Sequence, residues 1–553
     1  MATRTKNSSR NMIFACMAYI IQVILAFFLR RYFIFFFNEE YLGLNSLFTN
    51  VLSVLSLAEL GFGTALVFEM YKPMADGDKT RVQQLLHFYK TCYTIIAFVV
   101  LGLGLMVLPF MGYFQSKAPN VDVNLYVIYL LYLMNNVLSY CFAYRRSLLY
   151  ADQRNDIESK VGLCLNLISS ALQILVLVFL SNYYIYIGVV LLISVLSNVI
   201  IYIITQKKYP EYVRKPSTYL DKASRKAINK NVFALVFHKI GSVVVYSTDS
   251  LVIYMLLDSA TLGRYSNYLL ITTNLITLVS MISNAMRGSI GNSIAKETVE
   301  RNYNLLNKIN FIYLWIIAFC SVCIFTLSDS FIEVVLTKGA QSLTLDKSVI
   351  LLISLNFFFT TSRYIAGTFK ECAGIFQQDK YKSLFEAAIN LVSSVILVKL
   401  IGLPGVVLGT IISNLTTSLW IEPYVLNKHY FKKSTVKYFA KYVVYFCAML
   451  LSGAVTYFVC SFIATNTIWT LVAKFAICAI LPNVVLLLCL CWMPEFKECV
   501  KWGVSIIKGF IHKNTPAMES NVEVITAAVD LDKDGFNDIQ TSILVEMDDK
   551  IEE

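Results

Sequence analysis

The chain is short of charge, proline, tryptophan and histidine. Of its 553 residues only 15% are Asp, Glu, Lys or Arg, with 10 Pro, 5 Trp and 4 His. Soluble proteins carry roughly 25% charged residues. So few charges cannot cover a water-facing surface around a chain that is 57% hydrophobic. Four histidines spread over the whole length argue against a metal enzyme. Paired cysteine spacing is also missing. The 13 cysteines are an odd number, and most lie inside apolar runs, such as Cys16, Cys141, Cys164, Cys320, Cys447 and Cys478. They read as small buried hydrophobes, and neither a metal site nor a disulfide framework is expected. No glycine-rich phosphate loop occurs, so ATP hydrolysis by this chain is not expected.

What the chain has instead is apolar blocks separated by short polar stretches. Each is long enough to cross ~30 Å of hydrocarbon at about 1.5 Å per residue. The spacing predicts fourteen spans: 11–37, 44–70, 85–113, 121–144, 157–180, 183–206, 231–257, 262–285, 308–335, 347–369, 383–402, 405–428, 438–463 and 467–493. The first is no cleaved signal, because its apolar run extends from Asn11 to Phe37 without a small-x-small site. Alternate loops differ in charge. One set holds Lys72, Lys79, Arg81, Arg145, Arg146, Arg154, Lys160, Lys207, Lys208, Arg214 and Lys215 among others; the other holds little beyond Lys117, Arg264, Lys338 and Lys347. The positive-inside rule then places both termini in the cytoplasm of a cell (inner or plasma) membrane. The net charge of +11 reads as topology and attraction to anionic lipids, with no nucleic acid as partner. The opposite loops are too short to hold a catalytic site, and no catalytic residues and no metal are expected.

The sequence repeats itself. Asn166-Leu-Ile-Ser-Ser170 matches Asn390-Leu-Val-Ser-Ser394, Gly188-Val-Val-Leu191 matches Gly405-Val-Val-Leu408, and Ser197-Asn198 matches Ser413-Asn414. Leu42-Gly43 is echoed by Leu262-Gly263. Six spans separate equivalent positions, so the halves share one orientation about an axis along the membrane normal. The expected fold is all-α and polytopic: two six-helix lobes related by a pseudo-two-fold, plus two extra C-terminal helices. The expected divisions are an N-terminal lobe (1–206), a basic linker (207–230), a C-terminal lobe (231–430), two added spans (431–493), an interfacial amphipathic helix (494–513) and an acidic flexible tail (514–553). Two such lobes are the architecture of alternating access.

Several segments resemble a known family. They are Tyr41-Leu-Gly-Leu-Asn45, Ala58-Glu-Leu-Gly-Phe-Gly63, Ser247-Thr-Asp249, Gly263-Arg-Tyr-Ser-Asn-Tyr268 and Gly291-Asn-Ser-Ile-Ala295, then Ala373-Gly-Ile-Phe376, Glu386-Ala-Ala-Ile-Asn390 and Gly402-Leu-Pro-Gly-Val-Val-Leu-Gly-Thr410. In this order they resemble Wzx-type polysaccharide-repeat flippases, over roughly residues 10–495. The resemblance implies the fold of the multidrug/oligosaccharidyl-lipid/polysaccharide exporter superfamily. It also implies transfer of an undecaprenyl-diphosphate-linked oligosaccharide between leaflets, with membrane lipids around it and a polysaccharide polymerase and glycosyltransferases as further partners. The chain is then not an enzyme, and its fold relatives include drug exporters.

Charges inside spans cost about 2.5–3.5 kcal/mol each on the insertion scale, so each asks for a reason. A diphosphate needs cations, and arginine offers a planar fork that matches its oxygens. Arg30, Arg31, His238, Lys239 and Arg363 are the substrate-binding candidates. The plainer readings are snorkelling to headgroups for Arg30, Arg31 and Lys239, a hydrogen bond between helices for His238, and anchoring at the interface for Arg363. Asp249 lies at nearly the depth of Arg30 in the equivalent span, so a pair between Asp249 and Arg30 or Arg31 across the lobes is expected as a gate. Glu59, beside Gly61 and Gly63, is a candidate to carry a coupling proton. No cofactor is expected beyond a coupling H+ or Na+. Two rival functions remain: a cation-coupled drug exporter, which would want an acidic cavity, and a membrane glycosyltransferase or polymerase, which would want larger outer loops. In the tail, Asp530-x-Asp532-x-Asp534-Gly535 resembles the start of a calcium loop, but Thr541 stands where a bidentate Glu is needed.

Overall fold

The computed structural model describes residues 2–56, 62–152, 154–337, 343–375, 378–379, 381–464 and 467–501. These residues form eighteen α-helices. The first set is α1 (Ala2–Phe36), α2 (Glu39–Leu55), α3 (Phe62–Ala75), α4 (Lys79–Leu105), α5 (Met111–Ser116), α6 (Leu125–Ala151), α7 (Asn155–Phe179) and α8 (Tyr183–Lys208). The second is α9 (Lys222–Leu256), α10 (Ser259–Lys296), α11 (Val299–Phe331), α12 (Lys347–Ser362), α13 (Tyr364–Cys372), α14 (Lys382–Ile401), α15 (Leu403–Thr416) and α16 (Ser418–Leu426). Last come α17 (Thr435–Ser461) and α18 (Ile468–Leu490), which pack on each other and on α11.

Twelve helical stretches among the described residues are long and apolar enough to cross a membrane. The two other expected spans correspond to α2 with α3, which flank residues 57–61, and to α9. The bundle's outer surface carries large apolar side chains, such as Phe98, Phe179, Leu400 and Leu488. Water would penalise such a surface, whereas lipid accepts it. The chain is therefore a multi-pass membrane protein. We call the end of the bundle that carries Lys79, Arg81, Arg154, Lys160, Lys207 and Lys208 the basic end, and the opposite one the far end.

Helix boundaries follow local capping. Asn38 accepts from the Glu40 and Tyr41 amides at 3.1 and 3.3 Å and starts α2. Asp258 accepts from the Thr261 amide at 2.6 Å and starts α10. The two caps lie at equivalent positions of the repeat. Several helices depart from the expected spans, and four of these departures bear on the site. Asp221 caps α9 by accepting from the Ser224 amide at 2.8 Å, so the helix begins within the expected linker. Thr298 starts α11 early. The tenth span breaks at Arg363, between α12 and α13, and the twelfth at Thr417, between α15 and α16.

The linker docks at the basic end. Lys79 pairs with Glu211 at 2.5 Å, Arg81 with Asp221 at 3.5 Å, and Arg81 donates to Ser224 Oγ at 2.9 Å. The Ser224 hydrogen bonds, helped by Arg81, push the Asp221 carboxyl down to about 2. Residues Trp492–Glu553 form a separate unit. Within it, residues 494–501 are helical. The remainder of the expected interfacial helix and the acidic tail lie outside the described residues.

Candidate functional site

The two lobes meet where α2 lies against α10. A Cβ on Gly43 would overlap the carbonyl of Ser259, and a Cβ on Gly263 would overlap the carbonyl of Glu39. Residues 39 and 259, and 43 and 263, are repeat equivalents, so the contact is the same contact made twice about the pseudo-two-fold. Only glycine at both positions allows the helix backbones this close. Polar contacts extend the junction. Ser259 Oγ donates to the Glu40 carbonyl at 2.8 Å, Tyr254 Oη to the Phe114 carbonyl at 2.7 Å, and Asn50 Nδ2 to Ser250 Oγ at 3.1 Å. Arg30 donates to Ser266 Oγ of α10 at 3.2 Å, and Arg31 bonds the Val335 carbonyl.

A second feature lies inside the second lobe. A cavity of about 150 Å³ opens between α9, α10, α12, α14 and α15, with Asp249, Tyr265, Asn356, Glu386, Thr410 and Asn414 on its wall. Asp249 accepts from Thr410 Oγ1 at 2.7 Å and weakly from Asn390 Nδ2 at 3.5 Å. Asn390 Nδ2 also donates to Thr410 Oγ1 at 2.9 Å, and Thr248 donates to Asn390 Oδ1 at 3.0 Å. These partners are neutral, and Asp249 has no ion pair among the described residues. The α14–α15 hairpin makes the cluster possible. A Cβ on Gly405 would collide with the Leu397 backbone, and one on Gly409 would lie 2.5 Å from Ser394 Oγ. The equivalent interior of the first lobe is aromatic. Tyr132 and Tyr183 both donate to Asn45 Oδ1, and Phe33, Phe37, Tyr41 and Tyr186 pack around Tyr183.

Toward the basic end the same cavity reaches Arg363. Arg363 pairs with Glu422 at 3.2 Å and lies 3.7 Å from Glu386. Lys382 bonds Glu422, and Lys370 bonds Asp379. Three cations and three anions thus balance in a largely buried cluster. Charges held away from water persist only with such partners.

A third feature is apolar. Between α1, α10, α11 and α18 lies a cavity of about 350 Å³ lined by Phe27, Leu275, Phe319, Leu327 and Phe475 among others. It shares Phe27 and Phe331 with a larger open cavity of about 930 Å³ toward the far end, where Arg31 and Glu333 stand. Both sit where the first lobe, the second lobe and the added helices come together.

The expected site residues therefore fall in different places. Arg30 and Arg31 lie on the lobe junction and in the open far-end cavity. Arg363 and Asp249 share the second-lobe cavity. The expected pair between Asp249 and Arg30 or Arg31 is not formed, because Thr410 and Asn390 hold Asp249 and Ser266 holds Arg30. The backbone of His238 and Lys239 belongs to α9; their side chains, and Glu59 altogether, lie outside the described residues. Sequence reasoning passed over Asn390, Thr410 and Asn414. Their signal was present: polar residues at helical spacing inside apolar spans.

No family model matches the chain, and no curated protein matches it. Solved structures do. The lipid II flippase MurJ in its inward closed conformation superposes with a TM-score of 0.59 at 15% identity, over 86% of this chain and 98% of that one. An inward-facing multidrug resistance MATE family transporter of the MOP superfamily superposes with a TM-score of 0.56 at 13% identity, over 74% and 94%. At such identities the likeness establishes the fold, which a lipid flippase and drug transporters share. It does not reach the Wzx-type branch of that superfamily.

Proposed function

We propose that the chain is a flippase that carries lipid-linked oligosaccharide repeat units, linked through undecaprenyl diphosphate, from the cytoplasmic to the outer leaflet by alternating access. The basic end is the cytoplasmic one, on the positive-inside rule. The observation that carries the reading is the apolar cavity between α1, α10, α11 and α18, beside the lobe junction and running toward Arg31. A water-soluble cargo has no use for an apolar wall at the lobe boundary. A polyprenyl tail does, while its diphosphate needs cationic groups such as Arg31, which lines the adjoining open cavity. Arg30 and Arg31 supply cationic donors on α1, next to that cavity. The flippase among the structural neighbours acts, by its name, on lipid II, also a lipid-linked molecule.

Asp249 is proposed as the coupling residue. It is a carboxylate in a lobe interior, held by neutral groups, so a bound H+ or Na+ changes the charge of the lobe. Both lobes then move so that the glycine contact between α2 and α10, formed in this structure, opens at the far end.

The acidic side of the second-lobe cavity, with Asp249 and Glu386, favours a second reading: export of cationic drugs. A photoreactive polyprenyl diphosphate separates the two. We expect it to label α1, α10 or α18 in the membrane, with labelling lost in Phe27→Glu and Leu275→Glu. Absence of labelling, together with gradient-driven export of a cationic dye, would give the drug-exporter reading its place.

A further inference from the structure

The twelfth span carries a polar residue at every fourth position: Thr410, Asn414, Ser418 and Glu422. The span breaks at Thr417, so the spacing puts Thr410 and Asn414 on one face of α15 and Ser418 and Glu422 on one face of α16, each pair about 6 Å apart along its axis. Each meets a polar partner from a facing helix. Thr410 Oγ1 donates to Asp249 at 2.7 Å, Asn414 Nδ2 to Thr360 Oγ1 at 2.8 Å, and Ser418 Oγ to Glu386 Oε2 at 2.5 Å. Glu422 pairs with Arg363 at 3.2 Å. These contacts lead from Asp249 to the charge cluster at the basic end. The cavity of about 150 Å³ runs beside them, since Asp249, Thr410, Asn414, Glu386 and Arg363 all line it.

Two acceptors on this wall are underused. Asn414 is only 3% exposed, and its Oδ1 is buried without a hydrogen-bond partner among the described residues. An unsatisfied buried carbonyl costs about 1–3 kcal/mol. Glu386 is 7% exposed, and Oε1 lies 3.7 Å from the nearest Arg363 nitrogen, beyond hydrogen-bond range. A neutral and an anionic oxygen facing one small space are ligands for a hard monovalent cation. Arg363 already holds Glu422 at 3.2 Å, so it can yield Glu386 to such a cation and keep a carboxylate partner.

We propose a Na+-binding station at Asn414 Oδ1 and Glu386, through which a cation held at Asp249 passes to the basic end inside the second lobe. The proposal rests on the reading of Asp249 as the coupling residue. It separates the cation's route from the substrate's, which runs between the lobes. The amide oxygen beside the carboxylate favours a metal cation over a proton, because a proton would need only the carboxylate.

The test uses full-length protein in proteoliposomes, loaded with ²²Na+, with release followed toward the basic-end side. Wild type binds Na+, and Asp249→Asn abolishes binding. Asn414→Leu removes a station ligand: binding at Asp249 persists, but release slows at least tenfold, as it does in Glu386→Gln. Asn414→Asp keeps the oxygen, adds charge, and binds Na+ about tenfold more tightly. If Asn414→Leu fails to fold, Asn414→Asp decides alone, and an unchanged affinity overturns the station. Wild-type release rates in Asn414→Leu, with binding still dependent on Asp249, overturn the route and leave the coupling residue standing. Na+ binding that survives Asp249→Asn removes Asp249 as the Na+ coupling residue, and absence of Na+ binding by wild type removes the station and leaves H+ as the coupling ion to test.

Discussion

A valine at Gly43 has no room in the structure described above. Its Cβ would meet the carbonyl of Ser259, a backbone atom that no rotamer change can move aside. Forced overpacking of this kind costs about 1–3 kcal/mol. The cost falls only on the state in which α2 touches α10. A transporter that alternates escapes it by opening that junction, so the equilibrium shifts by about 5–150-fold toward the open form. Ser250 reports the shift, because it is fully buried beneath the junction and bonded to Asn50. In a cysteine-free background, Ser250→Cys is labelled from the far-end side with an impermeant maleimide. Gly43→Val accelerates labelling by that factor. Gly263→Val does the same, because its Cβ meets the Glu39 carbonyl in the equivalent way. Gly188→Val, with open space around it, leaves the rate unchanged. Equal labelling rates in all three variants, each folded, would refute the argument that the glycine contact closes the far end.

Three other outcomes are expected. Glu422→Ala strips Arg363 and Lys382 of a shared carboxylate and lowers stability by about 3–5 kcal/mol, read as thermal unfolding in detergent. Ala at Glu297, whose pair with Arg301 is exposed, costs about 0–1 kcal/mol in the same assay. Gly409→Val drives α15 away from Ser394, separates Thr410 from Asp249, and weakens Na+ binding together with stability. The linker clasp is acid-sensitive in a defined window. Because the Asp221 carboxyl is pushed down to about 2, its contribution is complete above the unfolded value of about 3.9 and is lost as pH falls through the folded value. Limited proteolysis of the 207–221 segment stays at its neutral-pH rate above that window and rises within it.

The sequence made the spans legible because an apolar block needs no partner to be recognised: length against the hydrocarbon thickness is enough. It also made the repeat legible. Leu42-Gly43 and Leu262-Gly263 were visible as an echo, and the structure gives its reason, a contact that requires glycine twice. The partners of the intramembrane charges were less accessible. Arg363 pairs with a glutamate 59 positions away, across two helix breaks. Asp249 finds Thr410 at a separation of 161 residues. Depth alone suggested Arg30 for Asp249, since equal depth in equivalent spans brings two charges to one level. It says nothing about which face each helix turns inward, and the α14–α15 hairpin reaches Asp249 from its own lobe. The breaks at Arg363 and Thr417 were hidden for another reason. Both sit at a Thr-Thr-Ser run, Thr360-Thr361-Ser362 before Arg363 and Thr416-Thr417-Ser418, with no proline beside them, and hydropathy does not register a change in backbone direction.

The central claim is that this chain moves a lipid-linked glycan between leaflets. Its most direct test is reconstitution into liposomes with a fluorescent undecaprenyl-diphosphate oligosaccharide, following the glycan's appearance on the opposite face. Protein-dependent translocation is expected, weakened by Arg30→Ala and Arg31→Ala and stopped by Asp249→Asn. Liposomes in which the glycolipid stays where it was placed, while the same protein exports cationic dyes down an ion gradient, would contradict it.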